Sequence, residues 1–115
     1  MSKRDWKILI EDIIESIKKI EEYTTDLSYD DFESNNLITD AVVRNIEIIG
    51  EASKNIPGEI QSLFNDIPWQ KLRGIRNRIV HDYFDVDRKI IWFIVTNELA
   101  AIKKALQSHL HERNL

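Results

Sequence analysis

Apolar residues recur at three- and four-residue steps along this chain, and that spacing constrains the fold more than any other feature of the sequence. In the first segment, from about Arg4 to Tyr23, charged residues fill one helical face and a single apolar stripe fills the other: Trp6, Leu9, Ile10, Ile13, Ile14, Ile17 and Ile20. Such a stripe is typical of an amphipathic helix that buries one face in a helical core.

Three later segments also carry helical spacing. An acidic, turn-prone loop from Leu27 to Asn36, with room for one short helical turn, precedes a second long helix from Leu37 to about Asn55, capped by Asn35 or Asn36. That helix is apolar on a wide face, which predicts burial on more than one side: Leu37, Ile38, Ala41, Val42, Asn45, Ile46, Ile48, Ile49 and Ala52. The third helix is predicted from about Pro68 to Tyr83, and the last continues to about His109 after a cap at Asp85 or Asp87.

No convincing pair of strands and no linker interrupts this pattern. The predicted fold is therefore all-α, an up-and-down bundle of four long helices with short extra helices, forming one domain over residues 1–115. Glycines at positions 50 and 74, inside predicted helices, indicate close approach of another backbone. Arg44, Glu47 and Glu51 share a face of the second helix, where surface pairing is favoured slightly over a role in positioning a site.

The charge distribution excludes some classes of function. A formal net charge of −4 argues against a general nucleic-acid binder, yet residues 67–115 hold nine Lys and Arg against five Asp and Glu. The chain has no cysteine, no recognisable signal peptide and no apolar run long enough to span a membrane. These features predict a soluble cytoplasmic protein that carries a local basic surface. The simpler explanation of that local excess of basic residues is a solvated helix face.

The octet from Arg76 to Tyr83 is the densest group of reactive side chains. His81 is the only histidine outside the C-terminal tail, and it can exchange protons near neutral pH. Arg76 can hold a phosphate, Asn77 can donate a hydrogen bond to a phosphoryl oxygen or orient His81, and Tyr83 can donate a hydrogen bond, stack on a base or accept a transferred group. RNA suits this set because its 2′-hydroxyl is an internal nucleophile, and no residues with metal-ligand spacing accompany the octet.

The angles on an ideal helix complicate this interpretation. Asn77 and His81 share a face, whereas Arg76 and His81 diverge by about 140° at about 100° per residue. Three arrangements would bring them together: a bend of the helix near His81, an Arg76 side chain that wraps back, or a composite site where two copies meet at a two-fold interface. Without any of these, the octet is a surface charge cluster, or a histidine interacting with the helix dipole.

The octet resembles the motif of the HEPN superfamily, and more closely that of the HepT-like toxins: Arg, four residues, His, one residue, Tyr. Here Arg76, His81 and Tyr83 occupy those positions without departure. The resemblance extends to a second-helix block at residues 41–52, and to Ile67-Pro68-Trp69 followed by the block at residues 72–77. It covers the chain from about Trp6 to Leu106.

This resemblance implies an all-helical homodimer with the motif at the subunit interface. It implies a metal-independent endoribonuclease, needing no cofactor, that cleaves tRNA or mRNA as the toxin of a type VII-like toxin–antitoxin pair. By matching positions, Arg76 and His81 are catalytic and Asn77 assists. Arg73 and Arg78, two further arginines of this basic segment, are expected to contact the substrate. The implied partner is an MntA-like minimal nucleotidyltransferase antitoxin that attaches AMP to Tyr83. The alternative is a non-catalytic helical dimer that binds such a nucleotidyltransferase as its AMP acceptor or as a nucleotide-binding subunit.

Overall fold

Helices occupy most of the part of the chain that the computed structural model describes, namely residues 5–82 and 85–113, with the backbone alone at residues 81, 82 and 113. The elements in chain order are α1 (Trp6–Thr24), α2 (Tyr29–Ser34), α3 (Asn36–Lys54), α4 (Gly58–Leu63), α5 (Trp69–Arg73), α6 (Ile75–Ile79), β1 (Val80–Asp82), β2 (Asp85–Val86), α7 (Arg88–Asn97) and α8 (Leu99–Arg113). The all-α prediction is confirmed.

The centre of the fold is the pairing of α1 with α3, against which α8, α5 and α6 pack. The predicted stripe of α1 is buried, with Ile10, Ile13, Ile17 and Ile20 fully inaccessible to solvent. Burying aliphatic side chains of this size contributes about 1.5–3 kcal/mol each, so these four residues are a substantial part of what stabilises the bundle. None of the helices in residues 5–82 and 85–113 is long and apolar enough to cross a membrane.

The loop between α1 and α3 contains the short helix α2, whose start is capped by side chains. Ser28 and Asp31 form a reciprocal capping box at its start, and Phe32 is fully buried. Asn35 caps α3 as predicted, with its side chain accepting a hydrogen bond from the amide of Ile38 at 3.1 Å. The assignment of Leu37 to the apolar stripe is wrong, because this residue in the first turn of α3 is 84% exposed.

The predicted third long helix is wrong in two places. It breaks at Gly74, which ends α5 with its amide donating to the carbonyl of Gln70, and a new short helix begins at Ile75. The break lets α5 and α6 each lie against α3 at Gly50, where a methyl group would come within 3.2 Å of Cγ2 of Ile75 and 3.5 Å of the carbonyl oxygen of Leu72. The close approach predicted for Gly50 is therefore confirmed.

The second correction concerns the end of α6. The helix stops at Ile79, and Val80 adopts extended backbone angles, φ −74° and ψ 126°. Val80–Asp82 then pairs antiparallel with Asp85–Val86, although the sequence suggested no pair of strands. The amide of Asp87 donates to the carbonyl of Ile79 at 2.6 Å, so the chain returns to the point where α6 ended.

The last predicted helix begins where expected but is not continuous. Asp87 caps α7, with its carboxylate accepting from the amides of Lys89 and Ile90 at 3.0 and 3.1 Å. The backbone turns away at Glu98 (φ −116°, ψ −42°), and α8 follows as a separate helix. In the described chain the long helical spans are thus α1, α3 and the α7–α8 pair, and not four single helices.

Candidate active site

Arg76 lies on the solvent-facing side of α6, and its side chain is 64% exposed. Its Nε atom lies 3.5 Å from Oε2 of Glu47, which belongs to α3 and is 40% exposed. The contact engages Nε, and among the described residues no other ion pair of Arg76 is found, so its two terminal nitrogen atoms can meet a phosphate. A guanidinium group donates five hydrogen bonds in a fixed fork, which suits that task.

Arg76 borders a cleft of about 540 Å³ between α1, α3 and the α5–α6 segment. The cleft has both apolar and charged walls: Leu9, Asp12, Arg44, Glu47, Ile48, Gly50, Glu51, Ala52, Lys54, Asn55, Arg73 and Arg76. It falls within the 300–1,000 Å³ typical of small-molecule sites. The side chain of Arg76 therefore borders a concave cleft and does not lie on a flat helix surface.

The other motif residues continue from Arg76 across the end of α6. Asn77 is exposed on the same short helix. His81 lies on β1, beyond the end of the helix, so the divergence of about 140° computed for a continuous helix does not apply to it. The chain changes direction before His81, and whether this brings Arg76 and His81 together, as the first of the three arrangements requires, stays a prediction. The His81 side chain and all of Tyr83 lie outside the described residues.

The two accessory arginines predicted to contact substrate lie in different surroundings. Arg73 lines the same cleft as Arg76, and its guanidinium donates to Oε1 of Gln61. Arg78 instead points toward α7 and α8, where it makes two parallel hydrogen bonds to Glu98 at 2.9 and 2.8 Å. The structure thus places Arg73 on the same cleft as Arg76, whereas the guanidinium group of Arg78 is already bound to the carboxylate of Glu98.

The Arg78–Glu98 pair is a partly buried ion pair next to the motif. Its side chains are only 30% and 17% exposed. Hydrogen bonds from Arg78 lower the pKa of Glu98 below its ordinary value of 4.5, against the opposing effect of burial, and the same bonds raise the pKa of Arg78. This pair ties α6 to the junction of α7 and α8, and so holds the helix that carries Arg76.

Glu47 and Glu98 were not among the residues predicted for the site. The spacing of Arg44, Glu47 and Glu51 suggested pairing along α3, whereas the observed partner of Glu47 is Arg76 on another helix. Glu98 lies twenty residues from Arg78, so no periodic spacing connects them. Within residues 5–82 and 85–113, no group of three or more potential metal ligands is close enough to hold an ion.

Comparison with known proteins agrees with the motif. A family model described as ribonuclease HepT-like matches residues 13–109. A Methanocaldococcus jannaschii protein, whose name assigns it provisionally as an RNase, is 41% identical over 107 residues, which are 93% of this chain and 98% of that protein. The "Probable ribonuclease HepT" of Thermococcus cleftensis is 41% identical over 101 residues, 88% of this chain and 92% of its own length.

A third relative has a different organisation. It is an M. jannaschii protein named as a gamma-glutamylcyclotransferase joined to a provisionally assigned RNase, and it is 40% identical over 110 residues. The match covers 96% of this chain but 50% of that longer protein. No solved structure matches the chain. From the family model, and from relatives above 30% identity that the chain covers almost completely, the chain belongs to the ribonuclease HepT-like family.

Proposed function

We propose that this protein is an endoribonuclease that cleaves RNA, of the tRNA or mRNA class, without a metal ion. The observation that carries the proposal is the exposed Arg76 on the rim of a cleft, five residues before His81, in a chain of the ribonuclease HepT-like family. Arginine and histidine are the two groups that such a reaction needs. One offsets charge on the phosphate, and the other exchanges protons near neutral pH.

The reaction is an attack of the RNA on itself. His81 would take the proton of a ribose 2′-hydroxyl, whose oxygen then forms a bond to the adjacent phosphorus. The bond from phosphorus to the 5′-oxygen of the next nucleotide breaks, and that oxygen leaves with a proton from an acid. Arg76, with Asn77 beside it and Arg73 in the same cleft, would stabilise the negative charge that develops on the phosphoryl oxygens.

We further propose that two copies of the chain form the active assembly. The support is an exposed apolar surface next to the motif, where Ile90 and Phe93, 37% and 54% exposed, line one pocket with Arg78. Val80, directly after α6, is also 42% exposed. Apolar side chains grouped on a surface often mark a protein interface. Because the chain turns before His81, the helical angles give no argument for a second copy, and the case for a dimer rests on this surface and on the resemblance to HepT-like toxins.

Regulation by an antitoxin completes the proposal. In a toxin–antitoxin pair, an MntA-like nucleotidyltransferase would transfer AMP to the hydroxyl of Tyr83, two residues after His81. The added phosphate carries negative charge and the nucleoside is bulky. Such a group would occupy the position of the RNA backbone near Arg76 and prevent cleavage.

The first experiment tests cleavage. Wild-type protein purified without its partner is incubated with total tRNA in excess EDTA, beside the variants Arg76→Ala and His81→Ala. His111→Ala is the matched histidine control, since His111 is exposed in the last helix. Cleavage by wild type and control, with loss in both motif variants, supports the proposal. Equal cleavage by all four samples, or by none, contradicts it and favours a non-catalytic partner of the nucleotidyltransferase.

The second experiment tests silencing. The protein is incubated with the nucleotidyltransferase and ATP, and the mass of the intact chain is measured before the cleavage assay. A mass gain of whole AMP units that is absent in Tyr83→Phe, together with loss of cleavage in wild type alone, supports modification at Tyr83. An AMP-bearing protein that still cuts RNA at the unmodified rate would contradict the mechanism.

A further inference from the structure

We infer that the cleft beside Arg76 is a nucleotide subsite, which holds the RNA nucleotide next to the cut phosphate and distinguishes its base. The inference rests on the proposed ribonuclease function and adds to it a site for base selection. Two features of the cleft carry it, namely the mixture of charges on its walls and the order of those charges along α3.

The mixture of charges on the walls of the cleft favours a nucleotide over other classes of ligand. Four cationic side chains line the cleft, from Arg44, Lys54, Arg73 and Arg76, but three carboxylates face it too, from Asp12, Glu47 and Glu51. A groove that binds only the backbone of a nucleic acid gains nothing from carboxylates, since they repel phosphates. Cationic and acidic groups together suit a ligand with a phosphate at one point and hydrogen-bond donors at another.

The order of charges along α3 fits that ligand. Arg44, Glu47, Glu51 and Lys54 follow one another at steps of three, four and three residues, so they lie along one face of the helix. The basic residues are at the two ends, about 15 Å apart along the axis, and the acidic residues lie between them. A short RNA segment whose end phosphates approach the two basic residues would place a base over the acidic centre.

The acidic centre has one carboxylate available for a base. Glu47 is held at Arg76, whereas Glu51 is exposed, and no ion pair within the described residues engages it. A carboxylate accepts hydrogen bonds only, and it therefore prefers bases with an exocyclic amino group, such as cytosine and adenine. Uracil has no such group. Leu9 and Ile48 provide apolar surface in the same cleft, on which the base can lie.

The experiment measures binding without cleavage, so that it is independent of the proposed activity. Fluorescence anisotropy gives the Kd of short labelled 2′-O-methyl oligonucleotides of cytidine, adenosine or uridine, which lack the attacking hydroxyl. The proteins are wild type, Glu51→Ala and Lys54→Ala. Matched charge controls outside the cleft are Glu22→Ala and Lys104→Ala, both at exposed helical positions.

Wild type and both controls should bind the cytidine or adenosine oligomer about fivefold or more tightly than the uridine oligomer. Glu51→Ala should bring that ratio close to one, because it removes the acceptor. Lys54→Ala should weaken all three oligomers by a similar factor and keep the ratio, because it removes a phosphate contact. A ratio that is the same in Glu51→Ala and Glu22→Ala would overturn the subsite.

Two further outcomes separate the possible failures. If RNA binds with the expected ratio but is never cut in the EDTA assay, the proposed nuclease activity fails while the subsite stands as a binding site. If free AMP displaces the labelled RNA at concentrations near the protein concentration, and Glu51→Ala abolishes that displacement, the cleft belongs to a free mononucleotide and the assignment to RNA is overturned.

Discussion

Arg76 and Glu47 join two helices across the rim of the cleft, with Nε of the arginine 3.5 Å from Oε2 of the glutamate. Both side chains are substantially exposed, so the pair contributes little to folding, less than about 0.5 kcal/mol. We expect the pair to affect direction, because an unpaired arginine samples many rotamers and a contact with Glu47 restricts them. We therefore expect Glu47 to act as a positioning residue for the arginine of the motif.

The variant Glu47→Gln tests this role. It should lower kcat for RNA cleavage by roughly tenfold, because misdirection of a charge-stabilising group costs rate at the chemical step. The midpoint of urea unfolding should stay within experimental error of wild type, and Glu22→Gln, at an exposed position on α1, serves as the control. Faster cleavage by Glu47→Gln would show that the carboxylate competes with RNA for Arg76.

Gly50 is expected to control how closely α3 approaches the helices of the motif. A Cβ atom there would meet Ile75 and the backbone of Leu72, both buried, so Gly50→Val should destabilise the protein by about 2–4 kcal/mol. Gly58 is the matched control, since a Cβ at that position meets nothing within 4 Å. Urea denaturation of Gly58→Val should therefore give a free energy of unfolding within about 0.5 kcal/mol of wild type.

Asp87 fixes the end of the hairpin that carries His81 and starts the next helix. Its carboxylate caps α7, and its amide bonds to Ile79 at the end of α6. Asp87→Ala should cost about 0.5–2 kcal/mol of stability by removing the cap, and should also lower cleavage by the folded protein. Asp87→Asn retains a capping oxygen and should restore most of both quantities. If the Ala variant cleaves as fast as wild type, the position of His81 does not depend on this anchor.

The Arg78–Glu98 pair predicts a dependence of stability on pH. The pKa of Glu98 is lower in the folded protein than its ordinary value of 4.5, so the folded state binds that proton less tightly than the unfolded state does. The stabilisation is therefore complete above about pH 5 and is lost as the pH falls through the folded pKa. Glu98→Gln should cost about 1–2 kcal/mol at pH 7. Compared with wild type, it should lose less stability between pH 5 and pH 3 in urea titrations.

Much of the fold could be predicted because its stabilising contacts repeat at the helical period. The stripe on α1, the Asn35 cap and the Asp87 cap are each local patterns, and each is found as expected. The break at Gly74 and the strand at Val80 are different, because they depend on contacts with other elements. The return of Asp87 to Ile79 joins residues that no short-range pattern relates.

The candidate site likewise has a part that the sequence predicts and a part that depends on contacts between distant residues. The motif from Arg76 to Tyr83 is visible in the sequence, and so is the proximity of Arg73 on the preceding helical turn. The partners that orient it are not visible, since Glu47 and Glu98 come from helices distant in sequence. Arg78 illustrates how far the sequence alone can assign a role to a residue. Its identity suggests phosphate binding, and only the bidentate contact with Glu98 reveals a different partner.

The variant Phe93→Glu tests whether the exposed apolar surface beside the motif is an interface between two copies of the chain. Glutamate at this position places a charge beside Ile90, which lines the same surface pocket, and should weaken self-association by about 2 kcal/mol or more. Sedimentation should then show a monomer at concentrations where wild type is a dimer, and cleavage should fall with the dimer fraction if both copies contribute to the site. Leu37→Glu is the control, because Leu37 is the more exposed, at 84%, and lies at the start of α3. A monomeric Phe93→Glu protein that cleaves RNA at the wild-type rate would refute a composite site, and a wild type that is itself monomeric would refute the dimer.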